Sequence, residues 1–145
     1  MAVVAMKEYE SLTKETVISL AIELSLFSSE APLVCEEIGD GNLNYVFRVT
    51  DGSGEKGIII KQALPYAKVI GESWPLTLKR AKIEASALQK HGEYAVGLVP
   101  KVYATDESLA ITIMEDLSHL EIVREGLIKG KSYPKLSTDI GEYLA

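Results

Sequence analysis

The sequence has a single cysteine, Cys35, so no disulfide can close within the chain. That excludes a disulfide scaffold and is compatible with a reducing compartment. With no His or Asp constellation around it, Cys35 reads as core filler. Positive charge is also scarce: 15 Lys and Arg stand against 21 Asp and Glu, for a formal net charge of -6. Such a domain gains nothing from counterion release, so no nucleic acid is expected as partner. A polyphosphate remains within reach of a few placed N–H groups and basic side chains. Long apolar runs are missing too. The longest window, Val17 to Phe27, is broken by Ser19, Glu23 and Ser25, so no membrane partner is expected. The apolar start, Met1 to Met6, lacks a basic segment before it and does not read as a signal peptide. The expectation is a cytoplasmic protein. Internal repeats and low-complexity stretches are absent.

What is present suits one globular domain: 145 residues, 47% hydrophobic and 25% charged. Thr13 to about Phe27 reads as a helix, with Thr13 as cap and Val17, Leu20, Ala21, Leu24 and Phe27 on one face. Pro32 ends it. Leu33–Ile38, Tyr45–Thr50 and Gly57–Gln62 then read as strands, joined by a Gly/Asn segment and by the turn Asp51-Gly52-Ser53-Gly54. Links this short cannot connect parallel strands, so the sheet is an antiparallel meander. Tyr66 to Pro75 reads as irregular. Thr77 to about Lys90 is a helix closed by His91-Gly92. Val99–Thr105 and Leu109–Met114 are two further strands, turned at Asp106-Glu107. The rest is helical: a short piece near His119 to Gly126, then a helix after Pro134. The fold class is α+β, a five-stranded antiparallel sheet with a packed helix and an N-terminal helix.

Gly39-Asp40-Gly41-Asn42-Leu43-Asn44 links the first two strands. Glycines let backbone approach a phosphate, and successive N–H groups in such a turn form an anion-binding concavity. An ordinary Gly/Asn hairpin turn would look the same. A Rossmann fingerprint is excluded, because Tyr45 to Val49 is strand and not helix. A Walker A loop is excluded, because no Gly-Lys-Ser/Thr follows. Strand, glycine loop and strand is the order that covers the phosphates in protein-kinase-like folds. There the loop runs G-x-G-x-x-G-x-V; here it is Gly39, Gly41, Asn44 and Val46. Asn44 replaces the third glycine, a change made tolerable by the left-handed conformations that Asn also visits.

On the third strand Ile58 and Ile60 point one way, Ile59 and Lys61 the other. Lys61 could reach phosphates while Ile59 packs on a purine; a lone strand-end lysine could equally just reach water. In the following helix Leu78, Ala81, Ala85 and Leu88 share an arc, and Glu84 lies about 40° beyond Leu88, at the border of the buried face. From there Glu84 could hold Lys61, or form an exposed i,i+4 pair with Arg80. The fifth strand ends in Ile113-Met114-Glu115-Asp116-Leu117, at the hinge position of kinase folds.

Four stretches carry a specific resemblance: Ile38 to Val49, Ile60 to Tyr66, Glu72 to Arg80 with its Trp74-Pro75, and Ile113 to Ser118. The chain resembles the methylthioribose kinase family from about Tyr9 onward. The resemblance implies an N-terminal lobe of the protein-kinase-like and aminoglycoside-phosphotransferase-like superfamily, followed by the start of a C-lobe. It implies ATP and Mg²⁺ as cofactors, 5-methylthioribose as the sugar phosphorylated on its anomeric hydroxyl in methionine salvage, and a homodimer. By position, Asn44 and Lys61 would bind ATP phosphates, and Glu115 and Leu117 would hold adenine through their backbones. Trp74 would sit in a lid beside the cleft, or alternatively anchor the helix in the core. The family's catalytic aspartate and metal-binding acids are missing, and His119-Leu120-Glu121 only mimics a catalytic loop. No catalytic or metal-ligating residue is therefore expected here. The last helix stops at Ala145 without a cap, so the sequence reads as a segment of a longer enzyme. Its expected divisions are residues 1–31, a helical segment; 32–117, the lobe with its hinge; and 118–145, a linker and first helix toward the C-lobe. A kinase acting on an aminoglycoside, choline or homoserine, or a nucleotide-binding module without catalysis, are the alternatives.

Overall fold

The computed structural model describes residues 8–30, 32–39 and 41–145. The apolar start, Met1 to Met6, and Asp40 of the glycine turn lie outside the described residues. Helix α1 spans Lys14–Glu23. Thr13 caps it reciprocally with Thr16: the Thr16 N–H donates to Thr13 Oγ1 at 3.3 Å, and the Thr13 N–H to Thr16 Oγ1 at 2.8 Å. The apolar spacing predicts a helix as far as Phe27, but Ser25 takes φ 56° and turns the chain. Phe27 still reaches the core, from outside the helix.

Strands β1 (Val34–Glu37), β2 (Asn44–Thr50), β3 (Gly57–Ala63), β6 (Val102–Asp106) and β7 (Ile111–Glu115) form one antiparallel sheet in the order β1-β2-β3-β7-β6. This is the expected five-stranded α+β architecture, consistent with a kinase-like N-lobe. The stretch expected to be irregular is in fact a hairpin, β4 (Tyr66–Ala67) and β5 (Gly71–Pro75). Gly71, at φ 76°, closes its turn. Pro75 sits at the end of β5, where its missing N–H costs little.

Helix α2 runs Lys79–Tyr94, past the expected stop at His91-Gly92. A helical glycine costs only about 1 kcal/mol relative to alanine, and Gly92 stays helical. The left-handed residue comes later, Gly97 at φ 78°. Helices α3 (Val123–Ile128) and α4 (Leu136–Leu144) follow, so the short helix starts after His119 and not at it. Among the described residues no helix is long and apolar enough to cross a membrane.

The strand register separates two faces. Phe47 pairs with Ile60, Val49 with Ile58, and Ile60 with Ile113. These side chains pack under Val17, Leu20 and Ala21 of α1 and form the core. Burial of that apolar surface is the main stabilising term. Cys35 packs at the margin of this core, and burial raises its thiol pKa, which fits filler and not a nucleophile. Gln62 is fully buried in the same layer. Its Nε2 donates to Glu10 O at 2.8 Å and Leu109 O at 3.0 Å, and its Oε1 accepts from the Leu12 N–H at 2.9 Å. Tyr9 adds a hydroxyl bond to Ala63 O at 3.0 Å. The segment before α1 is thereby tied to β3. The opposite face carries Lys61, with α2 against β3, β7 and β6.

Candidate functional site

The face away from α1 gathers most of the residues singled out in the sequence. Val46 is directly opposite Lys61, Arg48 opposite Ile59, and Ile59 opposite Met114. Paired residues share a face, so Val46, Ile59, Lys61 and Met114 line one surface. Val46 and Ile59 are only half-buried there. Met114 was not singled out in the sequence; only its pairing with Ile59 brings it into the group.

Lys61 Nζ lies 2.5 Å from Glu84 Oε1, with side-chain exposures of 25% and 43%. Strand alternation aims Lys61 at this face, and the helical period brings Glu84 over it. Arg80, one turn earlier, does not take Glu84 as its partner. Its Nη1 donates to Asn44 Oδ1 at 2.7 Å, and its Nη2 donates to Leu64 O at 2.8 Å and to Leu43 O. Burial pulls the Arg80 pKa down, while the Glu84 and Tyr9 fields push it up. The sequence hid this role, because an i,i+4 pairing with Glu84 is the local reading and the carbonyls are remote in sequence.

Gly39 holds φ 84°, which favours glycine. Asn44 does not take a left-handed conformation: it is the first residue of β2, paired with Ala63. The substitution for glycine is tolerated because the position is extended, not because Asn visits the left-handed region. Asn42 is tied to the β4–β5 hairpin. Its Oδ1 accepts from the Val69 N–H at 2.7 Å, and its carbonyl from the Lys68 N–H at 2.8 Å. The glycine turn is thus braced from two sides, by Arg80 and by the hairpin. Trp74, on β5, is 57% exposed, so it does not anchor α2 in a core within this chain.

At the other end of the face Glu115, Asp116 and Leu117 follow β7. The Glu115 side chain accepts from the Lys101 N–H at 3.1 Å. The Asp116 carboxylate receives Arg48 Nε at 2.6 Å and the Ser118 N–H at 2.9 Å. Its side chain is therefore committed to protein partners. Burial pushes its pKa up, but the bonds from Ser118 and Arg48 outweigh that and hold it below the usual carboxylate range. Gly57 faces this carboxylate closely: a Cβ there would lie 3.2 Å from Asp116 Cγ. His119 is exposed and stands in the turn before α3. Among the described residues no three His, Cys, Asp or Glu side chains gather as a metal site.

The arrangement offers one cationic side chain held by a carboxylate, a glycine turn at one end, an apolar strip and a backbone edge after β7. No family model matches the chain. A methylthioribose kinase of a Geobacillus species is 66% identical over 137 residues, 94% of this chain and 34% of that protein. That of Geobacillus thermodenitrificans is 61% identical over 145 residues, 100% of this chain and 37% of that protein. That of Bacillus pumilus is 63% identical over 136 residues, 94% of this chain and 34% of that protein. The chain spans about a third of the length of the curated relatives it matches. The resemblance to methylthioribose kinases extends through nearly the whole chain.

Proposed function

We propose that this chain is the ATP-binding lobe of a sugar kinase that phosphorylates 5-methylthioribose on its anomeric hydroxyl in methionine salvage. The carrying observation is the Lys61–Glu84 pair on the face between glycine turn and hinge, in a chain 59–66% identical to methylthioribose kinases. Glu84 fixes the Lys61 ammonium where it meets the phosphates of ATP. The backbone amides around Gly39, Gly41 and Asn42 and the Asn44 amide face the same phosphates. Val46 and Ile59 form one apolar wall against a face of the purine, and the Glu115 and Leu117 backbones bind its edge. Asp116 acts by holding that edge in place through Arg48. Residues 1–31, 32–117 and 118–145 form the helical segment, the lobe with hinge, and the link toward a C-lobe. Trp74 belongs to a lid. The longer protein works as a cytoplasmic homodimer.

Phosphoryl transfer is mostly positioning and neutralisation of charge. The described residues offer no carboxylate set for Mg²⁺, so carboxylates elsewhere in the longer protein would hold it, and when bound it would supply neutralisation of the phosphate charge. This chain contributes the cradle and the lysine, and no base for the sugar hydroxyl. The test is ATP-dependent transfer by the full-length protein to 5-methylthioribose, with an aminoglycoside, choline and homoserine in parallel. Transfer to the sugar is expected, and no turnover is expected from this chain alone. Transfer to another acceptor, or nucleotide binding without transfer to any, overturns the reading.

A further inference from the structure

We infer that Arg80 is a positioning residue for the nucleotide phosphates, acting through the Asn44 amide; this rests on the kinase reading above. A guanidinium only donates, so the amide group facing Arg80 Nη1 at 2.7 Å must be the carbonyl oxygen, Oδ1. That leaves the Asn44 Nδ2, with its N–H donors, turned away from Arg80. Asn44 stands two residues before Val46 on β2, and Val46 is directly opposite Lys61. The amide is therefore on the Lys61 face, a diagonal neighbour of the lysine. Unconstrained, an Asn amide can flip and present its oxygen to an anion. With Arg80 in place it presents donors.

The same guanidinium fork clamps the backbone behind the amide. Leu43 O accepts from both the Leu64 N–H and Arg80 Nη2, and Leu64 O accepts from Nη2 as well. Arg80 Nε is buried with no hydrogen-bond partner among the described residues. A donor is thus left unpaired while the fork bridges Asn44 and the two carbonyls. A lysine, as a point charge on a flexible stem, could not hold that planar bridge. Arg80 and Glu84 lie one turn apart on α2. One helix therefore sets both the lysine and the amide beside the phosphates.

The test is a double-mutant cycle in the full-length protein, with Arg80→Met, Asn44→Ala and the pair, plus Arg80→Lys. ATP and adenosine affinities are measured by calorimetry, together with KM for ATP and kcat. Arg80→Met and Asn44→Ala are each expected to weaken ATP about tenfold and leave adenosine unchanged. The double variant should be no weaker than Asn44→Ala. Arg80→Lys should lose ATP affinity in the same direction, and it replaces Arg80→Met in the cycle if that variant does not fold. Additive losses, an equal loss for adenosine, or unchanged ATP binding overturn the role of Arg80. A parent protein that binds no ATP overturns the kinase reading itself, which is a separate outcome.

Discussion

Lys61 Nζ and Glu84 Oε1 meet at 2.5 Å, joining the third strand to the second helix on the face away from the core. Both side chains keep partial contact with water, so the pair contributes only about 0–1 kcal/mol to stability. Its value lies in aiming the ammonium. Lys61→Ala in the full-length protein should lower turnover on the order of 10²-fold or more, with the thermal midpoint nearly unchanged. Glu84→Gln should lower it less, since the lysine remains. Initial rates and a melting curve on the same preparations check both. Full activity in Lys61→Ala would reduce Lys61 to an ordinary surface lysine.

Gly57 is the second point of leverage. An added methyl would press on the Asp116 carboxylate, which Arg48 and Ser118 hold in place. Gly57→Ala should displace the chain after β7 and raise KM for ATP several-fold, about 1 kcal/mol in binding. With that chain proposed to bind the adenine edge, adenosine affinity should fall in step. Unchanged adenosine affinity would mean that this backbone does not hold the base.

Asp116 also carries an acid dependence. Its folded pKa lies below the ordinary value, so the native carboxylate contributes stability that is present above the unfolded pKa. That stability is lost as pH falls through the folded value, in the window below about pH 4. Asp116→Asn should therefore flatten the acid limb of the stability curve. Urea midpoints across that range measure it, and parallel limbs for parent and variant would refute the assignment.

The sheet and the Lys61–Glu84 contact were legible in the sequence because each follows from a local period. Alternation in Gly57–Gln62 separates Ile58 and Ile60 from Lys61, and the helical angle puts Glu84 beside the buried arc. The β4–β5 hairpin was not legible, because Val69, Ile70 and Trp74 are exposed and show no alternation against a core. The targets of Arg80 were hidden for a different reason. They are backbone carbonyls at Leu43 and Leu64 and an amide at Asn44, and carbonyls have no signature in a sequence. Gln62 ends a strand pattern that carries no sign of its three partners, at Glu10, Leu12 and Leu109, because they come from segments far from it in the chain.

Gln62 shows how the N-terminal segment is held. Replacing it by leucine keeps the apolar bulk but leaves the Leu12 N–H and the Glu10 and Leu109 carbonyls without their partner. Each buried group left unmatched costs about 1–3 kcal/mol, and partial access to water near Leu12 relieves some of that. Gln62→Leu should destabilise the fold by about 2–4 kcal/mol in chemical denaturation. It should also raise hydrogen exchange at the Leu12 amide before the sheet amides are affected.

Trp74 gives an optical test of the lid. It is the only tryptophan in the chain, so its emission is easily followed when elsewhere-encoded tryptophans are replaced. Its exposure leaves the indole open to water. The hairpin that carries it also braces Asn42, whose Oδ1 and carbonyl accept from the Val69 and Lys68 N–H groups. Closure over bound ATP and sugar would remove water from the indole and shift its emission to the blue. The shift should be larger with both ligands than with ATP alone. Trp74→Ala should raise KM for the sugar more than it changes folding stability, because an exposed side chain buries little on folding. Emission that ignores both ligands, with KM unchanged in Trp74→Ala, would leave the hairpin as a brace for the glycine turn and nothing more.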